Sequence, residues 1–204
     1  LDAGIVAYST LGYFSEKKNW ERWFPAELVC ESLRGQFRNW FYAMLAMSAI
    51  LEARAPFRVC LGHGDVLDEH GLEMHKSLGN AIWTDEAVER VGADVMRWLY
   101  CVSNPGRDLR FGFGLAEEAK RRFLLPLWNA YRFFVTYANI DRWCPSDSSP
   151  RLQVMDRWIL SRLHRTVAGV TRNLESYDAQ RATEMLEIFV DNLSRWYLRG
   201  SRRR

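Results

Sequence analysis

The chain has 204 residues, 48% of them hydrophobic, which is enough for one sizeable core or two smaller ones. No apolar run approaches the roughly 20 residues that span a bilayer, no secretory leader pattern opens the sequence, and the four cysteines (Cys30, Cys60, Cys101, Cys144) stand far apart without a CxxC pair. That usage argues against a disulfide framework or a zinc site and reads as reduced, mostly buried thiols of a cytoplasmic protein. The net charge of +3 is unevenly spread: residues 151–204 hold 11 Arg against 6 acidic residues, and the remainder is net acidic. Arginine gathered toward one end, finishing in Arg199-Gly200-Ser201-Arg202-Arg203-Arg204, suits a nucleic-acid partner; for the last few residues alone it equally suits a solvated basic end.

In chain order, residues 15–24 are charged and aromatic and read as a short helix or loop. Glu27-Leu28-Val29-Cys30-Glu31 follows Phe24-Pro25-Ala26 as a buried strand. The run from Trp40 to Leu51 is a helix, hydrophobic nearly all round and so expected to be buried. By pattern alone Trp40 is one of its core residues. Phe57-Arg58-Val59-Cys60-Leu61 is a second strand. Strand, helix and strand over residues 26–67 make a βαβ unit, hence a parallel sheet with a right-handed crossover. Ligands of such sheets sit beyond the carboxyl ends of the strands.

At such a strand end comes the most informative stretch, Gly62 to Asn80, GHGDVLDEHGLEMHKSLGN. Gly62 and Gly64 around His63 let the backbone approach a flat or charged ligand. Asp68-Glu69-His70-Gly71 is a turn by composition. Glu73 to Asn80 then carries Lys76 and Ser77 on a loop closed by Gly79 and Asn80. A lysine there is a point charge suited to phosphate, and small neighbours let the loop move. The run resembles the KMSKS signature loop of class I aminoacyl-tRNA synthetases, most of all the isoleucyl branch, whose pattern ends L-x-D-x-x-G-x-K-M-S-K-S-x-G-N. Gly64, Asp68, Gly71, Met74, Lys76, Ser77, Gly79 and Asn80 match, and Leu67 stands one place nearer to Asp68 than the pattern's leucine. Glu73 replaces the first lysine of the motif and His75 its first serine.

Further matches lie on both sides. Asp2 and Gly4 fit the end of the family's W-F/Y-D-S-G motif, with Ala3 for its serine, so the motif's tryptophan is expected just before residue 1 and the chain reads as a fragment. Gln36, Arg38, Trp40 and Phe41 fit D-Q-x-R-G-W-F, with Gly35 in place of the aspartate. GADVMRWLY over residues 92–100 resembles G-A-D-x-x-R-W-Y, and Asp108, Arg110, Phe111 and Gly112 resemble D-x-R-F-G. Thr84-Asp85-Glu86 caps a helix that ends near Gly92. Leu115 to Ile140 has apolar residues at 115, 119, 123, 127, 130, 131, 134 and 138, one long helix kinked at Pro126. Its LWNAYRFFVTYAN is nearly the isoleucyl pattern L-W-N-x-Y-x-F-F-x-x-Y-A-N. A polar linker, Cys144 to Pro150, precedes two helices at about 152–176 and 179–199 that match the start of the family's anticodon-binding bundle.

The fold class expected is α/β followed by all-α. Residues 1–80 would be the second half of a Rossmann-like parallel α/β nucleotide-binding domain, 81–113 a helical linker region, and 114–204 the first helices of an antiparallel bundle. The resemblance implies isoleucine–tRNA ligase activity for the full-length parent, with ATP (and Mg2+ accompanying it), isoleucine and tRNA as partners, alongside the remainder of the same polypeptide. Lys76 would carry the charge of the pyrophosphate leaving group, with Ser77 and His75 beside it. His75 could donate to phosphate in place of the lost serine. His63, Gly64, Gln36 and Met74 would bind ATP, His63 by stacking on or hydrogen-bonding to adenine, unless it is a satisfied structural histidine. Trp40, Asp2 and Gly4 would line the amino-acid side. Arg195, Arg199, Arg202 and Arg203 would meet tRNA. No metal-ligand pattern is visible, and the chain carries no H-x-G-H motif, so alone it is expected to be inactive. A catalytically altered paralogue, serving antibiotic resistance or other amide chemistry, and a non-catalytic tRNA-binding module are the alternatives.

Overall fold

A computed structural model describes residues 2–145 and 151–202. The chain divides into two compact units, one of residues 1–67 with 105–109, the other of residues 68–104 with 110–204.

The first unit is a parallel α/β segment. Strands β1 (Ala26–Ser32) and β2 (Phe57–His63) pair in parallel, in register from Ala26 opposite Phe57 to Ser32 opposite His63. Two parallel strands need a long connection, and helix α1 (Trp40–Glu52) lies within it. Helix α1 buries Phe41, Met44 and Ser48, three and four residues apart and so on one side of the helix. Phe41 and Met44 form a core with Val29 of β1. The expectation of a helix buried all round is corrected here: Tyr42, Leu45, Ile50 and Leu51 are exposed. A two-stranded sheet offers α1 one surface to cover, so one stripe is buried. The helix ends at Ala53 in the left-handed region (φ 52°), and buried Ser48 Oγ donates to Arg54 O at 2.6 Å, tying down the exit. A second cluster joins Tyr8, Trp20 and Phe24, with the Trp20 and Phe24 rings stacked 4.5 Å apart.

The second unit is helical. Helices α2 (Thr84–Val91) and α3 (Ala93–Val102) meet at Gly92, whose φ of 88° and ψ of 146° only glycine adopts readily. Thr84 does not cap α2, as the sequence suggests it should. Trp83 holds the cap position in extended conformation, and Thr84 is the first helical residue. Val91, Val95 and Ala116 form one core cluster; Ala87, Leu99, Phe111 and Ala119 form another.

The single helix expected from Leu115 is three pieces: α4 (Phe113–Ala119), a π-helical segment (Lys120–Leu124) and α5 (Leu125–Ile140). Pro126 has no N–H to give the carbonyl of Arg122, and its ring crowds that carbonyl. The widened turn just before it absorbs the misfit. Helix α6 (Val154–Glu175) begins with a capping box in which Gln153 N–H donates to the Asp156 carboxylate at 2.8 Å. Helix α7 (Ala179–Asp191) begins where the Asp178 carboxylate accepts from Arg181 N–H at 3.0 Å. Here too a π-helical segment follows, Asn192–Leu198, where the sequence predicts uninterrupted α-helix. The two helices pack closely: a Cβ at Gly169 of α6 would collide with Met185 of α7.

All four cysteines are exposed, against the expectation of mostly buried thiols.

Candidate active site

In the first unit the predicted residues form two groups. Strand β2 delivers His63 and Gly64 at its carboxyl end. His63 Nδ1 lies 2.7 Å from Gly64 O, and a carbonyl only accepts, so Nδ1 carries the proton and Nε2 is left as an acceptor. Gly64 N–H donates to Pro105 O at 2.9 Å, and a Cβ at Gly64 would lie 2.5 Å from the Arg107 carbonyl. The approach that this glycine permits is therefore to its own chain. A cleft of about 360 Å³ opens here, lined by Leu33, Arg34, His63, Gly64, Arg107 and Asp108. Arg34 bridges Asp108 at 2.9 Å and Asp65 at 3.4 Å, and Ser32 Oγ donates to Asp65 at 2.7 Å. Arg34 and Asp65 escaped the sequence reading, since neither stands in a pattern that marks it.

The second group gathers around the start of α1. Gln36 Oε1 accepts the Trp40 backbone N–H at 3.3 Å. Trp40 is half-buried, and its indole N–H donates to Ala3 O at 3.0 Å. Gly4 is buried so closely that a Cβ would lie 2.7 Å from the Ala43 Cβ. The 3-10 turn Asp2–Ile5 and Trp40 are thus brought together.

The Lys76 loop belongs to the second unit. Lys76 opens a single 3-10 turn, Lys76–Leu78, closed by Gly79 at φ 70°. Its ammonium sits 4.5 Å above the centre of the Trp83 ring. Ser77 and Lys76 are exposed, Met74 half-buried. The two departures from the signature face each other: His75 Nε2 lies 3.2 Å from Glu73 Oε2, both exposed. Asp68, buried, accepts through Oδ1 from His70 N–H (3.0 Å) and Leu72 N–H (2.8 Å), and through Oδ2 from Asn80 Nδ2 (2.9 Å). Asn80 Nδ2 also donates to Glu73 O (3.0 Å), and Asn80 Oδ1 accepts from His75 N–H (2.9 Å). The Leu72 N–H first, then the Asn80 amide, hold the Asp68 carboxyl below its ordinary range. In the sequence, Asp68 and Asn80 are only two matches among many; nothing in a linear pattern shows that they join.

Among the arginines, Arg195 is paired with Asp191 at 2.8 Å and the Arg202 guanidinium lies 5.8 Å from the Phe133 ring centre. Arg199 is exposed in the last short helical turn, and Arg203 lies outside the described residues. Helix α6 carries Arg157, Arg165 and Arg172, exposed, with no acidic residue from 157 to 174. At about 100° per residue these three fall within roughly 80° of one face. Among the described residues no group of three or more His, Cys, Asp or Glu is placed to hold a metal ion.

The parallel sheet with glycines at a strand end and the clasped lysine loop lie in one stretch that matches a known family, and the arginine-bearing helix pair lies in another. Residues 1–112 match the family tRNA synthetases class I (I, L, M and V), and residues 156–204 match the anticodon-binding domain of tRNA ligase. The chain belongs to the class I tRNA synthetases. Its curated relatives include the isoleucine–tRNA ligase of Dehalococcoides mccartyi strain CBDB1, 44% identical over 186 residues, covering 89% of this chain and 18% of that one. The isoleucine–tRNA ligase of Deinococcus radiodurans is 39% identical over 216 residues, covering 100% of this chain and 20% of that one. The chain thus spans about a fifth of the length of these relatives. Two solved structures share the fold. The LeuRS–tRNA–LeuAMS ternary complex of Agrobacterium radiobacter K84 agnB2 matches with a TM-score of 0.77 at 19% identity over 98% of this chain and 26% of that one. Mycobacterium tuberculosis methionyl-tRNA synthetase bound by methionyl-adenylate gives 0.76 at 20% identity, over 94% and 37%.

Proposed function

We propose that these residues are the C-terminal part of the catalytic core and the first anticodon-binding helices of an isoleucine–tRNA ligase. The observation that carries this reading is Lys76, matched to the signature lysine and held on a hydrogen-bonded loop, in a chain about 40% identical to isoleucine–tRNA ligases. The isoleucine carboxylate oxygen attacks the α-phosphorus of ATP. The bond from that phosphorus to the bridging oxygen breaks, and pyrophosphate leaves with the electron pair. Lys76 meets the charge that develops on the leaving group, the kind of fixed electrostatic help that accounts for much of enzymatic rate enhancement. His63, Gly64, Gln36 and Met74 take the adenosine side; Trp40, Asp2 and Gly4 take the amino-acid side. Mg2+ carried by ATP would supply further charge neutralisation, and none of these residues is assigned to hold it. His75 and Ser77 flank the phosphates.

The aminoacyl group then passes to tRNA, which the helical unit holds through its arginines. ATP and tRNA as partners fit a cytoplasmic protein, and no helix among the described residues is long and apolar enough to cross a membrane. Isoleucine-dependent ATP–pyrophosphate exchange by the full-length protein containing these residues tests the reading. No exchange with isoleucine would overturn it. A second reading, a catalytically altered paralogue, draws on the Glu73–His75 pair at the two signature departures. It is favoured if exchange is absent with every amino acid.

A further inference from the structure

We propose that Asp68 and Asn80 act together as the positioning device of the Lys76 loop, so that their mutual hydrogen bond governs the adenylate-forming step through Lys76. The inference rests on the reading of Lys76 given above and adds two residues that do not themselves reach substrate.

Residues 72, 73 and 75–79 are all exposed, and Met74 is only half-buried. Packing therefore has almost no hold on this loop, and what fixes it must be hydrogen bonds. The bonds from side chains to its backbone converge on two residues at its ends. Asp68 takes the N–H groups of His70 and Leu72 on one oxygen and Asn80 on the other. Asn80 holds Glu73 O and His75 N–H, the residue before Lys76. Lys76 O in turn accepts Gly79 N–H at 3.2 Å, so the backbone of Lys76 is held on both sides. The turn is tight as well: at Gly71 (φ 88°) a Cβ would lie 3.2 Å from the Arg110 guanidinium.

The donor and acceptor roles are fully assigned, and this gives the test its power. Asp68→Asn keeps the shape, but its oxygen must stay toward the two backbone N–H groups, which turns its NH2 against the Asn80 NH2. Asn80→Asp sets two carboxylates face to face. In the double variant Asp68→Asn/Asn80→Asp the amide at 68 donates to the carboxylate at 80, whose other oxygen still accepts His75 N–H. Only the bond to Glu73 O is missing. A positioning pair therefore fails in each single variant and recovers in the double one, whereas two separate structural roles would add their damage.

The experiment uses the full-length protein, with active sites titrated so that folded enzyme alone is counted. Isoleucine-dependent ATP–pyrophosphate exchange is expected to lose at least tenfold in kcat in Asp68→Asn, Asn80→Asp and Asn80→Ala, with KM for isoleucine unchanged. The double variant is expected to regain at least fivefold over Asn80→Asp. Wild-type kcat in Asn80→Ala, or a double variant no faster than Asn80→Asp, overturns the proposal. Amide hydrogen exchange separates this from the functional reading. If the wild-type protein shows no isoleucine-dependent exchange of pyrophosphate, that reading fails. The clasp is then judged by whether Asn80→Ala speeds hydrogen exchange at His75 and Leu72 at least tenfold, and unchanged rates overturn it.

Discussion

Lys76 and Asp68 play opposite parts on one loop. The lysine is exposed and rests on an aromatic face worth roughly 0.5–1 kcal/mol at such a site, little enough for a phosphate to draw it away. Lys76→Ala in the full-length protein is expected to lower isoleucine-dependent pyrophosphate exchange at least tenfold, measured as kcat. The aspartate is fixed and ionised. Its folded pKa lies below the ordinary carboxylate value of about 3.9, so its contribution is complete above that value and is lost as pH falls through the lower, folded one. Hydrogen-exchange protection of Leu72, corrected for intrinsic rates, is therefore expected to stay level from pH 7 to about 4 and to collapse only below the usual carboxylate range. Of this loop the sequence showed the lysine, because a signature marks it. It did not show the clasp, because a side chain that bonds across twelve residues leaves no period and no local propensity.

Among the elements, the strands and most helices were legible because each is an apolar run or a periodic stripe of adequate length. What escaped depends on neighbours. The outer residues of α1 are as apolar as its inner ones, so composition could not say that only Phe41, Met44 and Ser48 would be covered. Pro126 was visible as a disturbance, but not the π-helical turn before it. Gly92 ends one helix and starts the next at a φ of 88° that a side chain resists. Gly92→Ala is expected to cost about 1–3 kcal/mol, read as a lower midpoint in urea unfolding of the full-length protein. Helix α6 supplies the electrostatic counterpart. Arg165 and Arg172 form no ion pair among the described residues, whereas Arg195 is engaged with Asp191. If both α6 arginines meet phosphates, Arg165→Gln/Arg172→Gln lowers the slope of log affinity for tRNA against log salt by about 2. Arg195→Gln is expected to change it less.

As a whole molecule the chain is a part that leaves surface uncovered. Ile50 is 78% exposed, and Tyr42, Leu45 and Leu51 lie open on the same helix. These 204 residues, purified alone, are expected to associate and to give no isoleucine-dependent pyrophosphate exchange above background, whereas the full-length protein is expected to give that exchange. Exchange by the short chain would show that the catalytic parts are all present within it.

The exposed thiols have a practical side. Cys30 and Cys60 sit in one unit, Cys101 and Cys144 in the other. Although Cys60 reaches solvent, burial first and then Cys30 push its thiol above the ordinary value, and thiolate is the form that alkylates. Each unit therefore carries its own chemical reporter, and Cys60 is the slow one. In air without reductant the same four sulfurs would link copies of the chain into covalent multimers, which a reducing agent would dissolve.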